Sequence, residues 1–291
     1  MTILVFGRTG QVAEALARCD KAVRLIGRAE ADLEDPLSCR AAMRAHPTAR
    51  AVINAAAWTD VDGAEAHPSR VHRINADAPT AMAQEAAAIG IPFLQISTDY
   101  VFDGSGDAAH LPDAFASPIS VYGESKARAE EGIRASGGAY AILRSSWVFS
   151  AYGANFVTNM LRLSGSHRTL RVVNDQIGGP TPAEALAEVC LKIVDALHET
   201  PDVAGTYHFS GRPDVSWAEF ARAIFHEAGV PMSVVGIPSA DYPTAAARPL
   251  NSRLDCSSTE AVFDVKRPDW RAALSQTVAV LADRAEERRG A

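Results

Sequence analysis

A tyrosine and a lysine four residues apart, Tyr122 and Lys126, are the strongest candidates for proton transfer in this sequence. Residues 122–134 have the pattern of a helix, in which residues four apart share one face. A lysine ammonium about 4 Å from a phenolate, at an effective dielectric of about 20, interacts with it by roughly 4 kcal/mol. We therefore expect Lys126 to lower the pKa of Tyr122 by about one or two units.

A hydroxyl group stands earlier in the chain, at a position where it can join this pair. Thr98 follows a predicted strand at 91–97 and can hydrogen-bond a substrate oxygen. A solvated tyrosine–lysine pair on a surface helix would show the same spacing. The catalytic interpretation therefore depends on Thr98 and on a glycine segment at the start of the chain.

Two glycines follow the first predicted strand. Residues 2–6 form an apolar run typical of a strand buried on both faces, and residues 11–18 have a helical pattern. Gly7 permits a tight turn, and Gly10 lets the backbone approach a pyrophosphate at the helix start. An ordinary strand-to-helix turn is the alternative, because the spacing is GxxGxxA rather than GxGxxG. The position directly after a buried strand favours a dinucleotide.

The second predicted strand, at 22–26, should end beside the adenosine ribose of that dinucleotide. A site selective for NAD would place a carboxylate there, but this chain has Gly27 and Arg28. A guanidinium group can bind a 2′-phosphate, although Arg28 could also be a solvated loop residue. We expect NADPH to be preferred, with NADH also possible.

Alternating strands and helices predict an α/β fold with a Rossmann-type, doubly wound parallel sheet and a smaller C-terminal substrate-binding domain. An NAD(P)-binding domain should span 1–147 and include a strand and a helix within 170–200. The substrate-binding lid should come mainly from 148–169 and 201–291. The remaining predicted helices lie at 36–46, 74–89, 155–163, 182–198 and 216–228, and the remaining strands at 51–54, 139–144 and 206–209.

Composition narrows the class of protein. The chain has 291 residues, 47% of them hydrophobic, and a net charge of −7 with dispersed basic residues, which argues against nucleic acid as the main partner. The four cysteines have no paired spacing, as expected of a reducing compartment. No apolar run approaches about 18 residues, and a strand begins the chain, so we expect neither a membrane span nor a signal peptide. A cytoplasmic protein is the expectation.

With these motifs in order, the sequence resembles the extended short-chain dehydrogenase/reductases and, within them, the dTDP-4-dehydrorhamnose reductases. The resemblance covers nearly the whole chain. Its segments are GRTGQVA at 7–13, DLEDP at 32–36, NAAAWTDVDGAE at 54–65, IN at 74–75, STDYVFDG at 97–104, SPISVYGESK at 117–126, RSSWVF at 144–149, NDQIGGPT at 174–181, GTYHFSG at 205–211 and RPLNSRL at 248–254.

The resemblance implies reduction of the C4 ketone of dTDP-4-dehydro-L-rhamnose, with Tyr122 as proton donor and Thr98 and Lys126 beside it. The residues that it assigns to the cofactor are Gly7, Gly10, Gln11, Val12, Asp32, Leu33, Ala57, Trp58, Thr59, Tyr122 and Lys126. Those that it assigns to the nucleotide-sugar are Thr98, Asp99, Tyr100, Trp147, Asn155 and Arg248.

The resemblance also bears on metal binding and on assembly. Some relatives hold Mg²⁺ between subunits on glutamates, and Glu184 matches one such position. The other ligand positions do not match, since Glu14 is offset by one residue, so we expect no metal site. A homodimer remains possible.

Two other functions remain open on the sequence. Dehydratases of this superfamily place Asp–Glu after the threonine for elimination, whereas this chain has Asp99 and Tyr100, which argues against dehydration. An epimerase acting on another nucleotide-sugar is harder to exclude. The same resemblance also includes NADP-binding regulatory subunits of methionine adenosyltransferase, which act as binding partners rather than enzymes.

Overall fold

The computed structural model describes residues 2–290. Its strands are β1 (Thr2–Phe6), β2 (Val23–Ile26), β3 (Ala49–Asn54), β4 (Phe93–Thr98), β5 (Tyr140–Ser145), β6 (Val148–Phe149), β7 (Thr169–Val173), β8 (Ile177–Gly178), β9 (Thr181–Pro182), β10 (Gly205–His208), β11 (Val215–Ser216), β12 (Ser233–Ile237) and β13 (Asn251–Ser252). Its α-helices are α1 (Gln11–Cys19), α2 (Pro36–Arg44), α3 (Val61–Ala66), α4 (Pro68–His72), α5 (Ala78–Ile89), α6 (Val121–Arg134), α7 (Phe156–Ser164), α8 (Ala183–Glu199), α9 (Trp217–Glu227), α10 (Ser257–Phe263) and α11 (Trp270–Gly290).

A six-stranded parallel sheet in the order β10-β5-β4-β3-β1-β2 forms the centre of the molecule. Alternate side chains of β1 enter two different cores: Ile3 and Val5 pack with α1 and α8, and Leu4 and Phe6 pack with α2 and α5. Both faces of the sheet are therefore covered by helices, as continuous apolar strands require. The predicted doubly wound α/β fold is confirmed.

The register of the sheet brings the carboxyl ends of its strands to one edge. Phe6 pairs with Asn54, and Thr98 pairs with Ser145, so the segments that follow β1, β3, β4 and β5 emerge together. Parallel sheets place their ligands at this edge.

Two strands differ from the predicted domain division. Strand β7 was expected in the large sheet, but it pairs with β12 in a separate two-stranded sheet. Strand β10 was expected in the substrate-binding lid, but it forms an edge of the large sheet by pairing with β5. Helix α8 packs on the large sheet, with Leu186 and Ile193 buried in the same core as Ile3 and Val5 of β1.

The helix predicted at 74–89 is interrupted. Helix α4 runs into a π-helical turn, Arg73–Asp77, before α5 begins. Asn75 lies within this turn and is buried. Because π-turns occur often at functional sites, the interruption directs attention to what Asn75 contacts.

The second half has its own core, built from α7, α9 and α11 around Phe149, Phe220 and Trp270. This core faces the small β7–β12 sheet, which supplies Leu170 and Val172. Within residues 2–290, no helix combines the length and apolar character that crossing a membrane would need.

Candidate active site

The glycine turn after β1 fits a dinucleotide pyrophosphate. Gly7 has a φ of +118°, and a Cβ atom there would lie 3.4 Å from the Ala55 backbone. Gly10 begins α1, and a Cβ atom placed on it would have no heavy atom within 4 Å. The N-terminus of α1 is therefore open, and the backbone N–H groups of its first turn, including those of Gln11 and Val12, can bind an anion.

The side chain of Gln11 joins this turn to the second half of the chain. Its amide nitrogen donates to the Val148 carbonyl at 3.3 Å, and Ser150 donates to its amide oxygen at 3.2 Å. Gly153 also approaches the turn, since its Cβ position is 3.5 Å from Gln11. The side chain of Gln11 is thus bonded within the protein, and the contact between Gln11 and the cofactor stays a prediction for its backbone.

Asn75 holds the loop that follows β3. It accepts a hydrogen bond from the Trp58 backbone at 2.7 Å and donates to the Trp58 carbonyl and to Ser125, both at 3.0 Å. Ser125 in turn donates to the Tyr122 carbonyl at 2.7 Å. Asn75 therefore fastens the segment with Ala57, Trp58 and Thr59 to α6, a role that the sequence indicates only through a polar residue in an apolar helix.

Tyr122 and Thr98 lie at the carboxyl edge of the sheet. Thr98 is 6% exposed, and its hydroxyl donates to the Asp99 carboxylate at 3.1 Å. Burial raises the pKa of Tyr122 to about 12, the Thr98 hydroxyl lowers it and the charge of Asp99 raises it further. The phenol therefore keeps its proton at neutral pH.

Lys126 is directed at the sheet. Its ammonium donates to the Ile96 carbonyl at 2.7 Å, and burial lowers its pKa to about 8, with Glu130 acting in the opposite direction. The expected depression of the Tyr122 pKa by Lys126 is wrong for this geometry, because burial of the phenol dominates.

A buried ion pair, not predicted from the sequence, anchors α6. Glu130 accepts from Ser97 at 2.6 Å and from Arg144 at 2.9 and 2.6 Å. Glu130 and Arg144 are 0% and 1% exposed. Glu130 lies one helical turn after Lys126, so this pair fixes the rotation of α6 and the side chains on its face.

Asp99 lies beneath the site. It is 2% exposed, and within residues 2–290 no group hydrogen-bonds its Oδ2 atom. Burial raises its pKa to about 6, against hydrogen bonds from Ser252 and Thr98 that lower it. Tyr100 points the other way, with its ring 5.6 Å from that of Tyr122, and it lines a cavity.

The cavity has a volume of about 1010 Å³ and is lined by Asp62 and Tyr100 from the first half of the chain and otherwise by residues of the second half. Arg248 lines it and pairs with Asp62 through two hydrogen bonds of 2.6 and 3.1 Å. Trp217 also lines it and stacks on Trp147, with ring centroids 3.6 Å apart. Trp217 was not identified from the sequence, since its partner is 70 positions away and no local pattern links them.

Four other predicted residues, Arg28, Asp32, Leu33 and Asn155, have partners within the protein. Arg28 contacts Asp32 at 3.2 Å, while Leu33 packs against the core beneath α2. Asn155 caps α7 by accepting from the Thr158 backbone at 3.1 Å, and its amide donates to Ser150.

Glu184 is held by an arginine. Arg18 donates to it at 3.0 Å and lies 3.7 Å from Glu14. Across residues 2–290, no group of three or more His, Cys, Asp or Glu side chains could hold a metal ion.

Comparison with known proteins identifies the family. The family model described as RmlD substrate binding domain matches residues 1–282. A dTDP-4-dehydrorhamnose reductase of Sinorhizobium fredii is 37% identical over 290 residues, covering 96% of this chain and 97% of the relative. The chain belongs to the dTDP-4-dehydrorhamnose reductase family.

Solved structures of reductases in this family have the same fold. The dTDP-4-dehydrorhamnose reductase of Clostridium acetobutylicum has a TM-score of 0.89 and 31% identity, covering 97% of this chain and 100% of the other. The reductase of Bacillus anthracis, solved in complex with NADP, has a TM-score of 0.88 and 29% identity, covering 95% and 99%. The likeness extends over both the sheet and the cavity-forming half.

Proposed function

We propose that the chain reduces the C4 ketone of dTDP-4-dehydro-L-rhamnose to dTDP-L-rhamnose with NADPH as the preferred reductant. Family membership supports the reaction. The observation that carries the proposal is structural: Thr98 and Tyr122 meet at the carboxyl edge of the sheet, and the Tyr122 ring packs against Tyr100, which lines the 1010 Å³ cavity.

Tyr122 acts as the proton donor. Bound NADPH supplies the hydride that adds to C4 of the ketone. The resulting alkoxide is far more basic than a phenolate, so it takes the proton from Tyr122 even though burial raises that pKa to about 12. The phenol is fully protonated at neutral pH, so its proton is in place before the reaction.

Lys126 and Thr98 position the reacting groups. An ammonium has three N–H donors, and the bond to Ile96 uses one, so Lys126 has others for the ribose hydroxyls of the cofactor. The Thr98 hydroxyl lies beside the phenol, where it can hold the ketone oxygen in line with Tyr122.

The cavity suits a nucleotide-sugar. Arg248 offers a guanidinium to the diphosphate, and Trp217 offers an aromatic face backed by Trp147. We assign the cofactor to the sheet-containing half and the substrate to the half built around α7, α9 and the β7–β12 sheet.

Elimination chemistry is disfavoured at this site. A dehydratase needs a base where this chain has Tyr100. Burial and the neighbouring Asp99 charge raise the pKa of Tyr100, so it keeps its proton and does not act as that base.

A homodimer in the cytoplasm is our proposal for assembly and location. The buried free thiols Cys39, Cys190 and Cys256 suit a reducing compartment.

The test is a coupled assay. A dTDP-glucose 4,6-dehydratase and a 3,5-epimerase generate the keto-sugar, and NADPH oxidation is followed by absorbance after this protein is added. We expect oxidation that needs both auxiliary enzymes and a product identified by NMR as dTDP-L-rhamnose. Tight NADPH binding without oxidation would reject the reductase function and would favour a regulatory subunit, which capture of a methionine adenosyltransferase would then support.

A further inference from the structure

Two arginines from distant parts of the chain converge on one carboxylate oxygen. Arg28 follows β2, and Arg70 lies on α4. Their Nη2 atoms lie 2.6 and 2.5 Å from the same Oε1 atom of Glu34. The side chains of Arg28 and Arg70 are 68% and 47% exposed, so both guanidinium groups are accessible from solvent.

This cluster lies where the adenosine end of a dinucleotide would meet the sheet. Arg28 stands just beyond the carboxyl end of β2, the point that a Rossmann-type fold directs at the adenosine ribose. The Arg70 guanidinium is 5.4 Å from the ring centroid of Trp58, in the loop after β3. The glycine turn that fits the pyrophosphate follows β1, and β1 pairs in parallel with β2, so the turn and Arg28 lie at the same edge of the sheet.

We propose that Arg70 and Arg28 together bind the 2′-phosphate of NADPH, and that Glu34 competes with this phosphate for the two guanidinium groups. The inference rests on the NADPH preference proposed above and on the prediction for Arg28, and it adds the roles of Arg70 and Glu34. Guanidinium groups bind carboxylate and phosphate oxygens with the same geometry, so two that converge on one carboxylate oxygen can also bind a phosphate.

The charges explain why the preference should be modest. Asp32 also contacts Arg28, at 3.2 Å, so two arginines face two carboxylates and the cluster is neutral. A 2′-phosphate brings about −1.5 to −2 charges into it and must displace Glu34. Asp32 remains as an acceptor for the 2′-hydroxyl of NADH. The same cluster therefore accepts either cofactor and favours NADPH only to the extent that the phosphate outcompetes Glu34.

A plain surface ion network is the competing explanation. Exposed ion pairs contribute little to stability, and such a network would have no effect on ligand choice. The two explanations differ in what Arg70 does: a recognition residue distinguishes ligands with and without a 2′-phosphate, whereas a surface residue does not.

Calorimetric binding of 2′,5′-ADP and 5′-AMP tests the proposal without turnover. We expect Arg70→Met to weaken 2′,5′-ADP by about tenfold, the loss of one charge-assisted hydrogen bond, and to leave 5′-AMP within about twofold. Glu34→Gln should have the opposite effect and tighten 2′,5′-ADP. Arg24→Met is the matched control, because Arg24 pairs with Glu30 on the neighbouring surface, and it should change neither ligand.

Equal changes for both ligands, or no change in Arg70→Met, would overturn the role of Arg70. A weaker 2′,5′-ADP complex in Glu34→Gln would overturn the competition. The ratio of kcat/KM for NADPH and NADH should follow the binding data. Failure of this proposal leaves ketone reduction in the coupled assay intact, so it is distinguishable from failure of the proposed function.

Discussion

The two sides of the active site are held in place by different kinds of contact. On the sheet side, Glu130 is fully buried and binds both Ser97 and Arg144 beneath the catalytic helix. On the cavity side, Arg248 is tied to α3 through Asp62, and these side chains are 23% and 42% exposed. Breaking a buried ion pair is strongly destabilising, whereas an exposed pair contributes little.

This difference separates the reaction from recognition of the substrate. Segments with few buried contacts open locally at low free-energy cost, and the loop at 241–245, which is exposed at every residue, is such a segment. We expect this loop to adjust to the nucleotide-sugar while α6 keeps Tyr122 in place. Changes on the sheet side should therefore alter kcat, its pH dependence or stability, and changes on the cavity side should alter KM, with smaller effects on stability.

Tyr122→Phe should have the largest effect. It removes the proton donor and keeps the ring that packs against Tyr100. General acid catalysis contributes about 10²–10⁴-fold, so kcat should fall by that factor while calorimetric NADPH binding is retained. Tyr140→Phe, at the opposite end of β5, is the matched control. Near-normal turnover, or a loss of NADPH binding alone, would break the proposed separation.

A fall in kcat/KM at alkaline pH should come next in size. Burial lowers the pKa of Lys126 to about 8, so the ammonium is present below that pH and is lost above it. Because kcat/KM reports groups of the free enzyme, it should decrease about tenfold for each pH unit above 8. Lys126→Met should remove this decrease above pH 8, and it should also remove most of the activity. A wild-type profile that stays flat to pH 9.5 would contradict the assignment.

Ionisation of Asp99 should make the sheet side less stable above about pH 6 than at lower pH. Burial raises its pKa from 3.8 to about 6, so ionisation costs folding free energy that is absent at low pH and complete above pH 6. Asp99→Asn removes that cost and keeps an acceptor for Thr98. Its gain in unfolding free energy should be about 1 kcal/mol larger at pH 8 than at pH 5.

Urea unfolding at the two pH values measures this difference. The exposed Asp107→Asn is the control and should show no such difference. An Asp99→Asn gain that does not change with pH would mean that the buried carboxyl does not ionise in this range.

The sequence predicts the sheet side better than the cavity side, and the reason is physical. Gly7 directly follows β1, Gly10 is the N-cap of α1 and Thr98 ends β4, so local pattern and motif order are enough to place them. The contacts that hold them are not local: Asn75 reaches Ser125 across 50 positions, and Trp147 stacks on Trp217 across 70. Such partners leave no periodic signal.

The same limit explains the errors. Strand β7 pairs with β12, which begins 64 positions later, and only the folded chain shows that these short strands form their own sheet. The predicted lowering of the Tyr122 pKa is wrong. Spacing shows that Lys126 and Tyr122 share a helical face, but it does not show that burial of the phenol dominates its pKa. Which residues touch the substrate remains a prediction at every position.

Substitution of Asn155 should have the smallest effect, and its result should distinguish the two sides most clearly. The resemblance assigns it to the substrate, yet its side chain accepts from the Thr158 backbone in a capping box and donates to Ser150. If capping is its role, Asn155→Ala should cost about 1 kcal/mol of unfolding free energy and leave KM unchanged. Asn155→Ser keeps a capping oxygen, so it should recover most of that stability. A KM that rises several-fold in both variants would instead place Asn155 in the substrate site, and the cavity side would then depend on its helix caps for recognition as well as for folding.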